Sequence, residues 1–217
     1  MRSILVIGIG RFGEYLTKHF SSLGHEVMII DKEEENVKNA LPYARNAQIA
    51  DCTEPDVLKN IGVGNFDVCF VCIGVDFQSS LEITCMLKEL GAKEVVSKAS
   101  DSIHAKFLLK NGADRVVYPE RDMAIRIAER YAAENALDYV GIGGDVGMYE
   151  IPVLKQWAGK TVREISFRAK YGVNIIAIRV NGKLELMSDA DYEFNVKDSL
   201  LIVGHREDLQ KFLRKID

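Results

Sequence analysis

Apolar and polar residues follow two alternating rhythms along the first two thirds of the chain. Short, nearly unbroken apolar runs ("SILVIG", "HEVMIID", "NAQIAD", "DVCFVCIG", "EVVSKA", "DRVVYPE") are separated by stretches of helical period. These are "RFGEYLTKHFSSLG", "NVKNALPY", "PDVLKNIG", "SSLEITCMLKELG", "HAKFLLKNG" and "DMAIRIAERYAAENAL". Pro55 opens one of these helices, where its fixed φ suits the first turn and its missing N–H is no loss. Gly24 closes the first. Strands alternating with helices predict a parallel sheet covered on both faces. The lack of polar alternation within the runs predicts strands buried on both sides.

The rhythm breaks at "VGIGGDVGMYE", glycine-rich from Gly141 to Gly147, which reads as a domain boundary. Beyond it, "MYEIPVL" and "VNIIAIRV" predict strands and "TVREISFRAKYG" a helix stopped by Gly172. The dipeptide Asn181-Gly182 predicts a tight hairpin into "KLELM", since both residues accept the positive φ such a turn requires. "SLLIVG" and "REDLQKFLRKI" supply a last strand and helix. Two domains are expected, at 1–137 and 138–217.

The chain has 47% apolar and 28% charged residues, a balance that supports a substantial core. A net charge of −4 gives no electrostatic footprint for nucleic acid or an anionic membrane surface. The longest apolar runs fall far below the roughly 18 residues of a membrane span. The first one leads straight into glycines and has no cleavage-type end. A soluble, cytoplasmic chain is expected. Cys69 and Cys72 form a C-x-x-C, which in a redox protein opens a helix so that the first thiol is activated. Here the pair lies within a strand-like run, where residues three apart point to opposite faces, so core cysteines are expected. No second pair with zinc spacing occurs.

The segment "GIGRFG" places Gly8, Gly10 and Gly13 in the spacing G-x-G-x-x-G, after a strand and at the start of a helix. One glycine makes a tight turn, another admits phosphate to the backbone, and the third lets helix and strand pack closely. Phosphate then meets the unpaired N–H groups of the helix start. The next strand ends at Asp31, 18 residues after Gly13, close to the roughly 20 expected of a ribose-binding carboxylate. Glu33 to Glu35 would repel a 2′-phosphate, which disfavours NADP; the same run also suits a solvated helix start. The expected fold class is α/β: a Rossmann-like doubly wound parallel sheet with a small C-terminal α+β domain. No nucleophile motif or histidine–carboxylate metal cluster is present, and only about 70 residues remain for a substrate domain, so no enzyme is expected. The residues alone leave open a small NAD(H)-dependent oxidoreductase or an NADH-binding redox sensor.

"VIGIGRFG", "GHEVMIID", "VCIG", "HAKFLLKNGADRVVYPERDMAIRIA" and "RAKYGVNIIAI" together resemble the cytoplasmic regulatory subunits of Ktr/Trk potassium uptake systems, of the KtrA type. These pair an RCK (TrkA-N) domain with a TrkA-C domain. The resemblance implies dimers that assemble into an octameric ring on the inner face of the membrane. By the same resemblance, the ring is expected to gate a membrane-embedded potassium transporter subunit when ATP or ADP binds. It implies that Arg11 reaches the terminal phosphates, which NAD lacks; a guanidinium suits that task. By the same resemblance Phe12 belongs to the glycine loop, Asp31, Lys32 and Glu33 hold the ribose, and Ala50 and Asp51 border the adenine. Cys72, Ile73 and Gly74 form the pocket rim. Ser97, Lys98 and Ala99 end the fifth strand, with Lys98 a second cation near phosphate. His104 stands near the nucleotide or caps its own helix. Glu120 helps hold a cation, divalent or monovalent, at the dimer interface, or is an ordinary first-turn acid. In some members the C-terminal domain binds cyclic di-AMP, a pattern that Arg168 fits. Asp189 and Asp191 in "MSDAD" depart from it and raise the cost of placing phosphates there.

Overall fold

The computed structural model describes residues 1–132, 136–187 and 189–216. They form two compact units, Met1–Glu120 and Arg121–Asp217.

The first unit holds strands β1 (Ser3–Ile7), β2 (Glu26–Asp31), β3 (Asn46–Ile49), β4 (Val68–Val71), β5 (Val95–Lys98) and β6 (Arg115–Val117). All pair in parallel, in the order β3-β2-β1-β4-β5-β6. This is the doubly wound order, in which the chain reverses direction across the sheet between β1 and β4. The helices between them are α1 (Arg11–Ser22), α2 (Glu34–Ala40), α3 (Pro55–Ile61), α4 (Phe77–Glu89) and α5 (Ser102–Lys110). Side-chain alternation in β1 divides the core. Ile4 and Val6 join Val27, Ile29 and Val37 on one face, and Leu5 and Ile7 join Ile30, Leu58, Ile83 and Leu87 on the other. Cys69 and Cys72 fall on these two opposite faces, both buried as core residues. Burial pushes each thiol up to about 12, so neither is poised as a thiolate.

Local chemistry fixes the helix ends. Asp76 accepts from the Ser79 N–H to cap α4, and Asp101 accepts from the His104 N–H to cap α5. Gly62, at φ +70°, ends α3. The helix α6 (Pro119–Tyr131) begins in the first unit and continues into the second. The sequence run that extends it reaches 133–135, outside the described residues.

The second unit is an antiparallel sheet in the order β10-β9-β11-β8-β7. Its strands are β7 (Asp138–Gly143), β8 (Val146–Pro152), β9 (Asn174–Val180), β10 (Lys183–Leu186) and β11 (Ser199–His205). With α7 (Val162–Ile165), α8 (Phe167–Tyr171) and α9 (Arg206–Ile216) it encloses a core built on Tyr149, Ile151, Trp157, Phe167, Leu200 and Phe212. Asn181 and Gly182 stand at φ +49° and +81°, the hairpin geometry expected of them, and join Val180 to Lys183. Two local readings differ. Gly141 to Gly147 folds as the β7–β8 hairpin of this unit, turning through Gly143 and Gly144 at positive φ. The single helix expected across "TVREISFRAKYG" is two, parted at Ser166 with φ +54°. Ile165 and Phe167 are both buried. Residues two apart lie on nearly opposite sides of one helix, and the break lets both enter the core.

Candidate functional site

At the C-terminal edge of the parallel sheet, where the connections leaving the paired strands β1 and β4 part in opposite directions, the loop from β1 to α1 carries three glycines with distinct duties. Gly8 stands at φ +87°, and a Cβ there would come within 3.3 Å of the Cys72 carbonyl carbon. A Cβ on Gly13 would stand 2.1 Å from the Gly8 carbonyl oxygen, so only glycine lets α1 pack this close to the loop. Gly10 is different: no atom lies within 4 Å of its Cβ position. The space above the start of α1 is open, and no side chain caps that helix. Such a helix start presents unpaired N–H groups and the positive end of its dipole.

Asp31, at the end of β2, accepts from the Ile9 N–H at 2.5 Å and the Glu33 N–H at 2.8 Å. The carboxylate thus pins the glycine loop beside β2 before any ligand arrives. Between the strand ends lies a cleft of about 250 Å³. Its floor is apolar, with Ile7, Ile30, Cys52, Ile73 and Ile83. Burial pushes the Cys52 thiol up to about 12. The rim carries Asp31, Lys32, Glu33, Asp51 and Asp76. The Thr53 hydroxyl and N–H hold the Asp51 carboxyl below the usual range, and the Ser79 N–H and hydroxyl do the same for Asp76.

Of the residues expected at the site, Gly8, Gly10, Asp31, Lys32, Glu33, Ala50, Asp51, Cys72, Ile73 and Gly74 line this cleft. Arg11, Phe12, Gly13, Ser97, Lys98, Ala99, His104 and Glu120 do not. Arg11 is the first residue of α1; it is exposed and makes no ion pair with the described residues. Phe12 packs on the core, and the Lys98 ammonium lies 5.8 Å from its ring centre. That ammonium donates to Oε1 of Glu120 at 2.5 Å and holds the Glu120 carboxyl below its usual range. Ser97 and Ala99 are buried, the Ser97 hydroxyl against that of Thr84 at 2.9 Å.

His104 is fully buried. Its Nδ1 accepts from the Ser100 N–H, while Nε2 lies 2.7 Å from the Ser80 hydroxyl, which donates onward to the Phe77 carbonyl. That chain of donors assigns the proton to Nε2 of a neutral ring, and burial lowers its pKa. His104 therefore ties α5 to α4 behind the cleft.

Asn36, Thr53, Asp76 and Ser79 line the cleft and were missed by sequence reasoning. The spacing Asp76-x-x-Ser79 is a helix-start signal that would have found two of them; Asn36, on α2, carries no such signal. Among the described residues no group of three His, Cys, Asp or Glu could hold a metal ion. Glu120 offers a single carboxylate, already paired with an ammonium, so one chain does not fit a cation there. In the second unit, Asp191 is paired with Arg163 at 2.8 Å, and Arg168 is exposed on α8. Among the described residues no helix is long and apolar enough to cross a membrane.

Comparison with known proteins gives two family matches, the TrkA-N domain over residues 4–119 and the TrkA-C domain over residues 147–217. The chain is 40% identical over 216 residues to the Ktr system potassium uptake protein C of Bacillus subtilis, covering 99% of this chain and 97% of that one. It is 36% identical over 211 residues to protein A of the same system and organism, covering 97% and 95%. Among solved structures it is similar to the GsuK channel bound to NAD, at a TM-score of 0.65 and 20% identity, covering 98% of this chain and 39% of that one.

Proposed function

The chain belongs to the TrkA-N family and carries a TrkA-C domain, and on that premise we propose that it is the regulatory subunit of a Ktr/Trk-type potassium uptake system. In this reading it senses ATP and ADP in the cleft of its first unit and acts on a membrane-embedded transporter subunit. It sits on the cytoplasmic side of the membrane and works as a homo-oligomer, dimers assembling into a ring of eight. Its similarity to the two Bacillus subtilis uptake proteins supports the potassium system.

The observation that carries the nucleotide reading is the open space at Gly10, above an uncapped helix start and beside Asp31. A cleft of about 250 Å³ is smaller than the ~300–1,000 Å³ of a pocket that engulfs a whole ligand. Adenine and ribose fill it against the apolar floor and the Asp31 carboxylate. The phosphates lie outside, across the loop, where backbone N–H groups and the dipole favour them. Arg11, exposed and without an ion pair among the described residues, is placed to meet the terminal phosphate of its own or a neighbouring subunit's nucleotide. ATP and ADP then shift the assembly between shapes because they bind those shapes with different free energies. The reading assigns no reaction to the cleft and no cation to Glu120.

A thermal-shift panel of ATP, ADP, AMP, NADH and cyclic di-AMP on the full chain tests it. A ligand that binds only the folded state raises stability with the logarithm of its saturation. Stabilisation by ATP and ADP well above that by NADH is expected. A second reading, an NADH-binding redox sensor, rests on the glycine spacing and Asp31, which suit a dinucleotide equally; NADH ranking first would favour it. Cyclic di-AMP, if it acts through the second unit, stabilises additively with ATP.

A further inference from the structure

Asn36, in the first turn of α2, lines the cleft half-buried, and its side-chain amide makes no hydrogen bond with the described residues. An amide carries an acceptor and two donors, so this wall of the cleft holds both kinds of group unused. The two carboxylates on the same rim are fixed in place. Both oxygens of Asp76 accept from Ser79, whose N–H and hydroxyl lie at 3.0 and 2.7 Å. Oδ1 of Asp51 accepts from the N–H and the hydroxyl of Thr53, which leaves Oδ2 without a donor among the described residues. An ionised carboxylate accepts and never donates. Lys32, the cation of this rim, stands in the field of both and helps hold both carboxyls below their usual range.

Building on the nucleotide reading of the cleft, we infer that Asn36 is the residue that selects adenine among the purines, with Asp51 and Asp76 turning away a base that carries oxygen in place of the amine. With the ribose at Asp31 and the phosphates over Gly10, the base lies on the apolar floor and presents its far edge to these residues. Adenine shows there an amine donor beside a ring-nitrogen acceptor. The Asn36 amide answers both at once: its carbonyl oxygen accepts from the amine, and its NH2 donates to the ring nitrogen. Asparagine reads adenine in DNA by the same pairing. Guanine and hypoxanthine carry an oxygen where adenine carries its amine. That oxygen meets carboxylates, acceptor against acceptor, and the amide keeps only half of its pairing. Selection of the base thus rests on α2 and the rim, apart from the loop that takes the phosphates.

The test is calorimetric titration of the full chain with ADP, inosine diphosphate and GDP, for wild type, Asn36→Leu and Asp76→Ser. Wild type is expected to bind ADP about tenfold or more tightly than the two 6-oxo nucleotides, the scale of one bidentate base contact. Asn36→Leu, close in size and without hydrogen-bonding groups, weakens ADP about tenfold and leaves inosine diphosphate within about twofold of wild type. Asp76→Ser keeps a capping oxygen for α4 but removes the charge, and inosine diphosphate and GDP gain on ADP. Wild type binding ADP and inosine diphosphate equally overturns the assignment of the base and leaves the nucleotide reading standing. So does Asn36→Leu weakening every nucleotide alike, as a structural role would, or leaving ADP unaltered. Failure of all three nucleotides to bind wild type overturns the nucleotide reading itself, and the base assignment with it.

Discussion

Alanine at Gly13 and alanine at Gly10 should fail in opposite ways. At Gly13 the new Cβ would stand 2.1 Å from the Gly8 carbonyl oxygen, against about 3.5 Å for comfortable contact, a shortfall of about 1.4 Å. Both sides of that contact are backbone, so no rotamer change relieves it, and α1 must draw away from the loop. It would lift Phe12, Leu16 and Phe20 from the core they pack against. Overpacking of this kind costs about 1–3 kcal/mol. For a unit of 120 residues, each kcal/mol lowers the melting temperature by about 4 °C, giving a fall of about 4–12 °C. At Gly10 the Cβ enters empty space at φ −69°, a conformation alanine adopts freely. A stiffer unfolded chain contributes about 0.4–1 kcal/mol, and alanine's poorer capping offsets it, so melting stays within about 3 °C of wild type. Yet that methyl group fills the place assigned to phosphate, and the stabilisation by ADP disappears. Differential scanning fluorimetry with and without ADP reads both effects. Gly13→Ala melting with the wild type, or Gly10→Ala keeping its full ADP response, would refute the division of duties.

Three further outcomes follow from the same geometry. Arg11→Ala should weaken ATP by about 1.5–3 kcal/mol through loss of a charge-assisted contact while leaving adenosine untouched; calorimetry showing both ligands weakened equally would contradict it. His104 is neutral in the folded chain because burial lowers its pKa below 6.5. The unfolded chain takes up that proton first, so the stability it provides is present above pH 6.5 and lost as pH falls through the folded value. Urea unfolding of the first unit between pH 7 and 5 should therefore weaken in wild type and stay flat in His104→Gln, and parallel slopes would count against this role. Gly182→Val forces a branched side chain to φ +81°, costing at least about 1–2 kcal/mol; fluorescence of Trp157, the chain's single tryptophan, should report an earlier unfolding of the second unit, with ADP affinity unchanged.

Much of this architecture is legible in the order of residues because it rests on local rules. The parity of Cys69 and Cys72 sends them to opposite faces whatever surrounds them, and Asn181-Gly182 makes its turn from backbone freedom alone. The glycine spacing and Asp31 locate the cleft because strand, turn and helix follow directly. What escapes is set by distant partners. Ser166 takes a left-handed conformation between Ile165 and Phe167, which both enter the core, a demand set by partners distant in the chain. Lys98 and Glu120 lie 22 residues apart, and their pairing exists only once β5 and α6 are placed. His104 reads as a candidate ligand, but burial and the Ser80 and Ser100 contacts assign it to the frame behind the cleft.

The thiols lead to a practical end. Of four cysteines, Cys52, Cys69 and Cys72 are buried, two of them against the cleft, and Cys85 is the most open to solvent. It stands on α4 two residues past Ile83, which faces the cleft, so it looks the other way. A maleimide dye would meet the unaltered chain first at that thiol, a built-in beacon on the outer face of the helix that walls the pocket, while a nucleotide in the cleft would shield Cys52 and Cys72 from the same reagent.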